Sequence, residues 1–303
     1  MAEDIPFDRR FDALPGVVEE VAPGVRRVLA PNPGPFTFTG TCTYIVGRGK
    51  VAIIDPGPDD ASHVAAVLAA VSGESVTHLI LTHTHRDHSG ALAALQAATG
   101  APTYAQGPHR AARPLHADEA PALDSAGDRA FLPDVALADG ARVEGAGWTL
   151  TALATPGHTA NHMAFVLEQA GAIFVGDHVM GWSTTVVAPP DGSMNDYMES
   201  LRRLGERPET LYLPGHGGVI AQGPAFVERF LRHRQSRETA ILRALDRGPR
   251  SVPDIVRAIY FGLDPRLAGA AGLSTLAHLE DLVERGDVVT EGPATLTGLF
   301  RLP

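Results

Sequence analysis

The apolar positions of this 303-residue chain fall in short runs that stop abruptly, and their period changes along the sequence. Residues 25–29, 41–46 and 51–55 are β-branched and apolar and read as strands, the third stopped by Asp55-Pro-Gly-Pro58. Val64, Val67, Leu68 and Val71 then sit at i, i+3, i+4 and i+7, the spacing of a helix with one buried face. A strand over 76–82 follows, and Ser89 opens a second helix that ends at Gly100. This β-α-β-α order predicts a layered α/β domain. Residues 107–139, with prolines 108, 114, 121 and 133, read as an irregular insertion with short helical pieces, over the strand ends or at a subunit contact. Two hairpin patterns follow, 141–144 with 148–153 and 163–167 with 172–175, which complete a second β-rich arm. Residues 181–195 have no period and suit either a substrate groove or a rigid connection, and a packed amphipathic helix follows over 196–204. From Gly223 onward the pattern is helical, over 226–245, 252–260 and 274–285. Ser274 is expected as the N-cap of the last helix, with Leu276, Leu279 and Val283 as its buried stripe and Gly286 as its stop. Residues 288–290 and 295–302, split by Gly292-Pro293, suit a short β-wing. The expected organisation is therefore an α/β domain over 1–222 and a small winged-helix-like α+β domain over 223–303.

The chemistry is concentrated where the strands stop. Thr82 to Gly90 reads T-H-T-H-R-D-H-S-G, placing His83, His85, Asp87 and His88 within six positions at the end of a buried strand. Open α/β sheets place their sites at the carboxyl ends of strands. Neutral imidazoles and a carboxylate are the donor set preferred by zinc and, less selectively, by iron or manganese. Four such donors at this density suit two adjacent metals better than one. His158 in a Pro-Gly turn, Asp177 after an apolar strand and His216 after another Pro-Gly repeat the device: a strand, a tight stop, then a donor. A lone histidine is more often a hydrogen-bonded or surface residue, which is the expectation for His63, His78, His109, His116, His233 and His278.

Composition narrows the setting. The net charge of −10 argues against a broad electrostatic grip on nucleic acid, so strong duplex binding is not expected. Residues 232–303 hold ten arginines and nine acids, and the helix that would enter a groove carries Glu280, Asp281 and Glu284 against Arg285. Docking or homodimer formation is the expected role of that module. The single cysteine, Cys42, rules out an internal disulfide. The acidic start lacks the order of a secretory signal, and no apolar run nears the ~18 residues of a membrane span. A cytoplasmic location is expected.

The order H-x-H-x-D-H, then G-H, G-D and G-H, resembles that of the metallo-β-lactamase-fold hydrolases over roughly residues 20–220. Asn32-Pro-Gly-Pro35, Gly40 to Gly47, Gly181-Trp-Ser-Thr-Thr185, Asp196 to Leu201 and the helical tail are similar to the β-lactamase-like-protein-2 group. That group carries a winged-helix-like domain after its catalytic domain, and its animal members include a single-strand endoribonuclease. Cys42 stands where the group's pattern has asparagine, and His178 also departs from the animal proteins. The resemblance implies an αββα sandwich holding two zinc ions, with iron or manganese as alternatives. His83, His85 and His158 would hold the first, Asp87, His88 and His216 the second, and Asp177 would bridge them. A water shared by the two cations would become a hydroxide near neutral pH and attack a carbonyl or phosphoryl centre. His162 and His178 are candidates to donate a proton or to bind a substrate anion. Asp55 is expected to orient a ligand by hydrogen bond. The expected substrate is a phosphodiester, such as a short single-stranded RNA, or a small ester. Glyoxalase-II-like thioester hydrolysis and lactone hydrolysis use the same ligands. A persulfide dioxygenase with one iron is the alternative of another class. A β-lactam substrate is disfavoured, because the common zinc β-lactamases place a cysteine where Asp177 stands.

Overall fold

The computed structural model describes residues 5–116 and 126–303. Its strands are β1 (Val18–Ala22), β2 (Val25–Leu29), β3 (Cys42–Val46), β4 (Lys50–Ile54), β5 (Ser75–Ile80), β6 (Thr103–Ala105) and β7 (Val135–Ala136) in one sheet, hydrogen-bonded in that order. A second sheet runs β12 (Leu211–Pro214), β11 (Ala172–Gly176), β10 (Met163–Leu167), β9 (Trp148–Ala154) and β8 (Arg142–Gly145). β10 and β11 are buried at every position, as expected of strands covered on both faces. The two sheets face each other through Val25, Tyr44, Ile54 and Ile80 on one side and Leu150, Phe165, Phe174 and Leu213 on the other.

Helices close both outer faces. Val67 and Val71, from α1 (Ala61–Ala70) and its cap, and Leu92 and Leu95 of α3 (Leu92–Thr99) pack on Val28, Ile45, Ile53 and Leu79 of the first sheet. Asp60 caps α1 by accepting from the His63 backbone N–H at 2.9 Å. Tyr197, Leu201 and Leu204 of α4 (Met194–Gly205) and Val227 and Phe230 of α5 (Gly223–Leu245) cover Val166, Ile173 and Val175 of the second. The layers are helix, sheet, sheet, helix, as the resemblance implies. The described part of the 107–139 insertion supplies β7; its residues 117–125, on which short helical pieces were expected, lie outside the described residues.

A smaller core holds the tail together. Ile241 and Leu245 of α5, Ile255 of α6 (Val252–Ile259), Leu276, Leu279 and Leu282 of α7 (Ala268–Glu284) and Phe300 pack as one cluster. The wing is shorter than its sequence pattern: β13 (Val289–Thr290) pairs with β14 (Phe300–Arg301). Two expectations are corrected. Ser89 does not open the second helix: α3 begins at Leu92, with Ala91 as its N-cap. Ser274 does not cap α7, which begins six residues earlier. Asp264 instead caps a 3-10 turn at Pro265–Leu267, and that turn runs directly into the helix. No helix among the described residues is long and apolar enough to cross a membrane.

Candidate metal centre

Every ligand expected from the sequence arrives at the end of a strand of the two facing sheets. β5 runs into Thr82, His83 and His85, and the short α2 (Arg86–Ser89) then presents Asp87 and His88. β9 ends in the turn that carries His158, while β11 and β12 end at Asp177 and near His216. Two glycines make the approach feasible. A Cβ on Gly215 would lie 2.5 Å from Asp177 Oδ1 and 2.6 Å from His88 Cε1. At Gly157, with φ of 135°, a Cβ would meet the Tyr197 backbone at 2.3 Å, so only glycine lets this turn seat against α4.

The donor atoms gather in two groups. His83, His85, His158 and Asp177 form one, and Asp87, His88 and His216 the other. In the first, His85 Nδ1 lies 3.0 Å from His83 Nε2 and 3.1 Å from His158 Nε2. In the second, Asp87 Oδ2 lies 3.2 Å from His216 Nε2 and 3.4 Å from His88 Nε2. Asp177 spans both: Oδ1 is 3.4 Å from His88 Nε2, and Oδ2 is 3.3 Å from His216 Nε2 and 3.8 Å from His158 Nε2. Such separations are close to the edge of a tetrahedron with metal–nitrogen bonds of about 2.0–2.1 Å.

The surrounding chain sets which ring nitrogen faces inward. His158 Nδ1 donates to the Val186 carbonyl at 2.7 Å, and His216 Nδ1 to the Gly40 carbonyl at 3.1 Å. His88 Nδ1 donates to Asp55 Oδ2 at 2.9 Å. Thr82 Oγ1 donates to the same Asp55 oxygen at 2.8 Å, so it accepts from His83 Nδ1 at 3.0 Å. Each of these four rings thereby turns Nε2 toward the centre, the arrangement by which outer partners orient metal-bound histidines. Asp55 thus does what its sequence position suggested. It holds a left-handed φ of 51°, uncommon outside glycine, and its Oδ1 also accepts the Thr82 N–H at 2.8 Å.

The electrostatics fit a cation. Although burial opposes the charge, Asp87, Asp177 and Asp55 hold His88 well above the usual imidazole range. Burial likewise opposes charge on His216, yet Asp177 and Asp87 push it up to about 10. Negative charge therefore attracts a positive one where the second group converges. Burial, reinforced by neighbouring imidazoles, lowers His83 well below its usual range and takes His85 down to about 3, leaving both neutral and able to ligate. His88 Nε2 and Asp177 Oδ1 are buried without a hydrogen-bond partner, although they face each other. Leaving such groups unpaired is costly, and a shared cation would satisfy both. Asp87, 26% exposed at its side chain, is more open to solvent than Asp177, at 10%, so the centre opens on its side.

His162 and His178 lie behind this layer, 1% and 0% exposed. His162 bonds Thr155 Oγ1 through Nδ1 at 2.8 Å, and His178 packs on Tyr197 with ring centroids 4.5 Å apart. Burial lowers both, His178 to about 3. Both rings pack beside the candidate ligands, His162 with its centroid 5.2 Å from that of His83 and 5.4 Å from that of His178. Two further residues support the site without having been expected to. The Thr41 hydroxyl donates to Asp87 Oδ2 at 3.2 Å, and Asn32 donates to Thr41 Oγ1 at 3.0 Å. Asn32-Pro-Gly and Gly-Thr41 are visible as motifs, but nothing local ties them to Asp87. Of the remaining histidines, His63 is buried against Thr43 and the Pro56 carbonyl, and His109 bonds Thr84 at 2.9 Å.

A profile of the metallo-beta-lactamase superfamily matches residues 36–216, and one of the beta-lactamase associated winged helix domain matches residues 251–294. The chain belongs to the metallo-beta-lactamase superfamily and is a hydrolase of that class. Among its relatives is a beta-lactamase-like protein 2 homolog from Caenorhabditis elegans, 32% identical over 75% of this chain and 73% of the relative. Another, from Claviceps purpurea, is an atrochrysone carboxyl ACP thioesterase, 33% identical over 82% of this chain and 76% of the relative. A crystal structure of a metallo-beta-lactamase family protein from Thermus thermophilus superposes with a TM-score of 0.74. It is 25% identical and covers 94% of this chain and 100% of its own.

Proposed function

We propose that the chain is a two-zinc hydrolase whose first substrate class is a small acyl thioester or ester. The observation that carries this reading is the convergence of seven donor atoms into two groups that share Asp177. Two cations held by these residues would supply Lewis acidity there. The chain's own residues do the rest. Val186, Gly40, Asp55 and Thr82 fix the rings, and Thr41 holds Asp87 in place beside the opening. Trp182 stacks on Phe38, with centroids 4.8 Å apart and an interplanar angle of 11°, and lies against Gly217 next to His216. That aromatic wall suits an apolar acyl group better than a string of phosphates. The thioesterase named among the relatives supports the same class, and the net charge of −10 works against long polyanions.

A phosphodiester is the second reading, favoured by the likeness to the beta-lactamase-like protein 2 homolog and by paired ligand groups suited to in-line attack at phosphorus. One experiment separates these readings. The zinc-loaded chain is assayed in parallel against an acyl thioester, a small ester, bis(p-nitrophenyl) phosphate and single-stranded RNA, with elemental analysis of the same sample. Two zincs per chain and fastest turnover of the thioester or ester support the proposal. Fastest cleavage of the phosphodiester or RNA moves it to the second reading. A single iron with oxygen uptake on a persulfide replaces hydrolysis with the dioxygenase alternative.

A further inference from the structure

The segment Thr185-Val186-Val187 is fastened on both sides by the C-terminal part of the chain. Arg234 of α5, 3% exposed, donates from a guanidinium nitrogen to the Thr185 carbonyl. Ser274 of α7 accepts from the Val187 N–H at 3.4 Å. Between them, the Val186 carbonyl accepts from His158 Nδ1 at 2.7 Å. Thr185 also reaches the other side of the centre, where its hydroxyl donates to the Asp177 carbonyl at 2.7 Å and the His178 carbonyl at 3.1 Å. Three consecutive residues thus join two tail helices to one ligand's ring and to the backbone of the shared carboxylate.

Arg234 is costly where it stands. No carboxylate among the described residues lies within ion-pair distance of it, its Nε is buried without an acceptor, and its guanidinium lies 5.1 Å from the Tyr197 ring centroid. A buried charge without a counter-ion is unfavourable unless its other contacts compensate. A planar guanidinium fixes the direction of a carbonyl more firmly than a neutral donor, and the plane fixed here belongs to the peptide next to the one that holds His158. We propose that Arg234, assisted by Ser274, is a positioning residue of the metal centre: it fixes the Thr185–Val187 backbone so that the Val186 carbonyl keeps His158 in its ligating tautomer. The C-terminal domain is then part of the metal centre without touching a metal. The proposal rests on the reading of His158 as a metal ligand.

The test is zinc titration of the full chain against a competing chromogenic chelator. It compares wild type with Arg234→Met, Arg234→Lys and Ser274→Ala, alone and in a His158→Ala background. Outer partners of metal-bound histidines are worth about 10–100-fold in affinity. Arg234→Met, which acts one peptide further out, is expected to weaken the cation held by His158 by up to that factor and the other less. Arg234→Lys should recover part of the loss, and Ser274→Ala should lose less. In the His158→Ala background the Arg234 effect should vanish, because it acts through that ring. A lowered melting temperature with both affinities unchanged would make Arg234 a packing residue and overturn the proposal. If Arg234→Met does not fold, unchanged affinities in Arg234→Lys and Ser274→Ala overturn it equally. A wild-type chain that binds no zinc defeats the site reading itself, an outcome distinct from variants that bind like wild type.

Discussion

Asp177 gathers with His83, His85 and His158 and also lies 3.4 Å from His88 and 3.3 Å from His216, so it is the side chain whose loss should be felt by both groups. Asp177→Ala is expected to abolish hydrolysis and lower zinc content. A variant with full occupancy and wild-type rate would remove the shared-carboxylate assignment. Asp55→Asn asks a finer question, because an amide places an N–H2 where one oxygen now accepts from both His88 and Thr82. Zinc affinity should fall about 10–100-fold, and chelator competition reads that directly; no change would mean that His88 is oriented by something else. The seven side chains that converge were legible in the sequence because each follows a strand stop and four lie within one short motif. Apart from Asp55, their supports were not. Val186 and Gly40 act through backbone carbonyls, which any residue supplies, and Thr41 meets Asp87 across 46 positions of sequence.

At the scale of elements, the central strands and most helices followed from period and stops, since β10 and β11 are unbroken apolar runs and α3 ends at a left-handed Gly100, whereas the short strands β6 and β7 toward one edge did not. The start of α7 did not follow, because Ser274 looks like a cap, whereas the alanine-rich turn before it continues the helix and the hydroxyl serves another element. The same helix carries His278, 3% exposed, with both ring nitrogens lacking partners. Burial lowers it well below its usual value of 6.5, and Arg234, His233 and Arg237 of α5 and Arg285 beyond α7 reinforce the shift. Its folded form stays neutral while the unfolded chain takes up a proton. The stabilisation is therefore complete above about pH 6.5 and is lost as pH falls below it. Melting temperatures measured between pH 8 and 5 should fall less steeply in His278→Leu than in wild type; parallel curves would count against this. In the tail core, Leu279→Ala should cost about 2–5 kcal/mol, as large-to-small changes at buried sites do, and denaturant unfolding measures it.

At the scale of the molecule, the charge of −10 makes weak, salt-sensitive association with long polyanions the expected behaviour. Turnover of a small ester should change little between low and moderate salt, while any cleavage of long RNA should drop steeply; the reverse order would point to a basic surface that overrides the net charge. The 23-residue α5, about 35 Å long at 1.5 Å per residue, belongs to two cores at once. Val227 and Phe230 lie in the catalytic core, and Ile241 and Leu245 in the tail core. Neither core can open without stripping contacts from a helix that the other needs. Hydrogen exchange should therefore show the amides along α5 and the central strands of the second sheet opening in a single cooperative unit. Any cut placed within α5 would strip contacts from one core or the other.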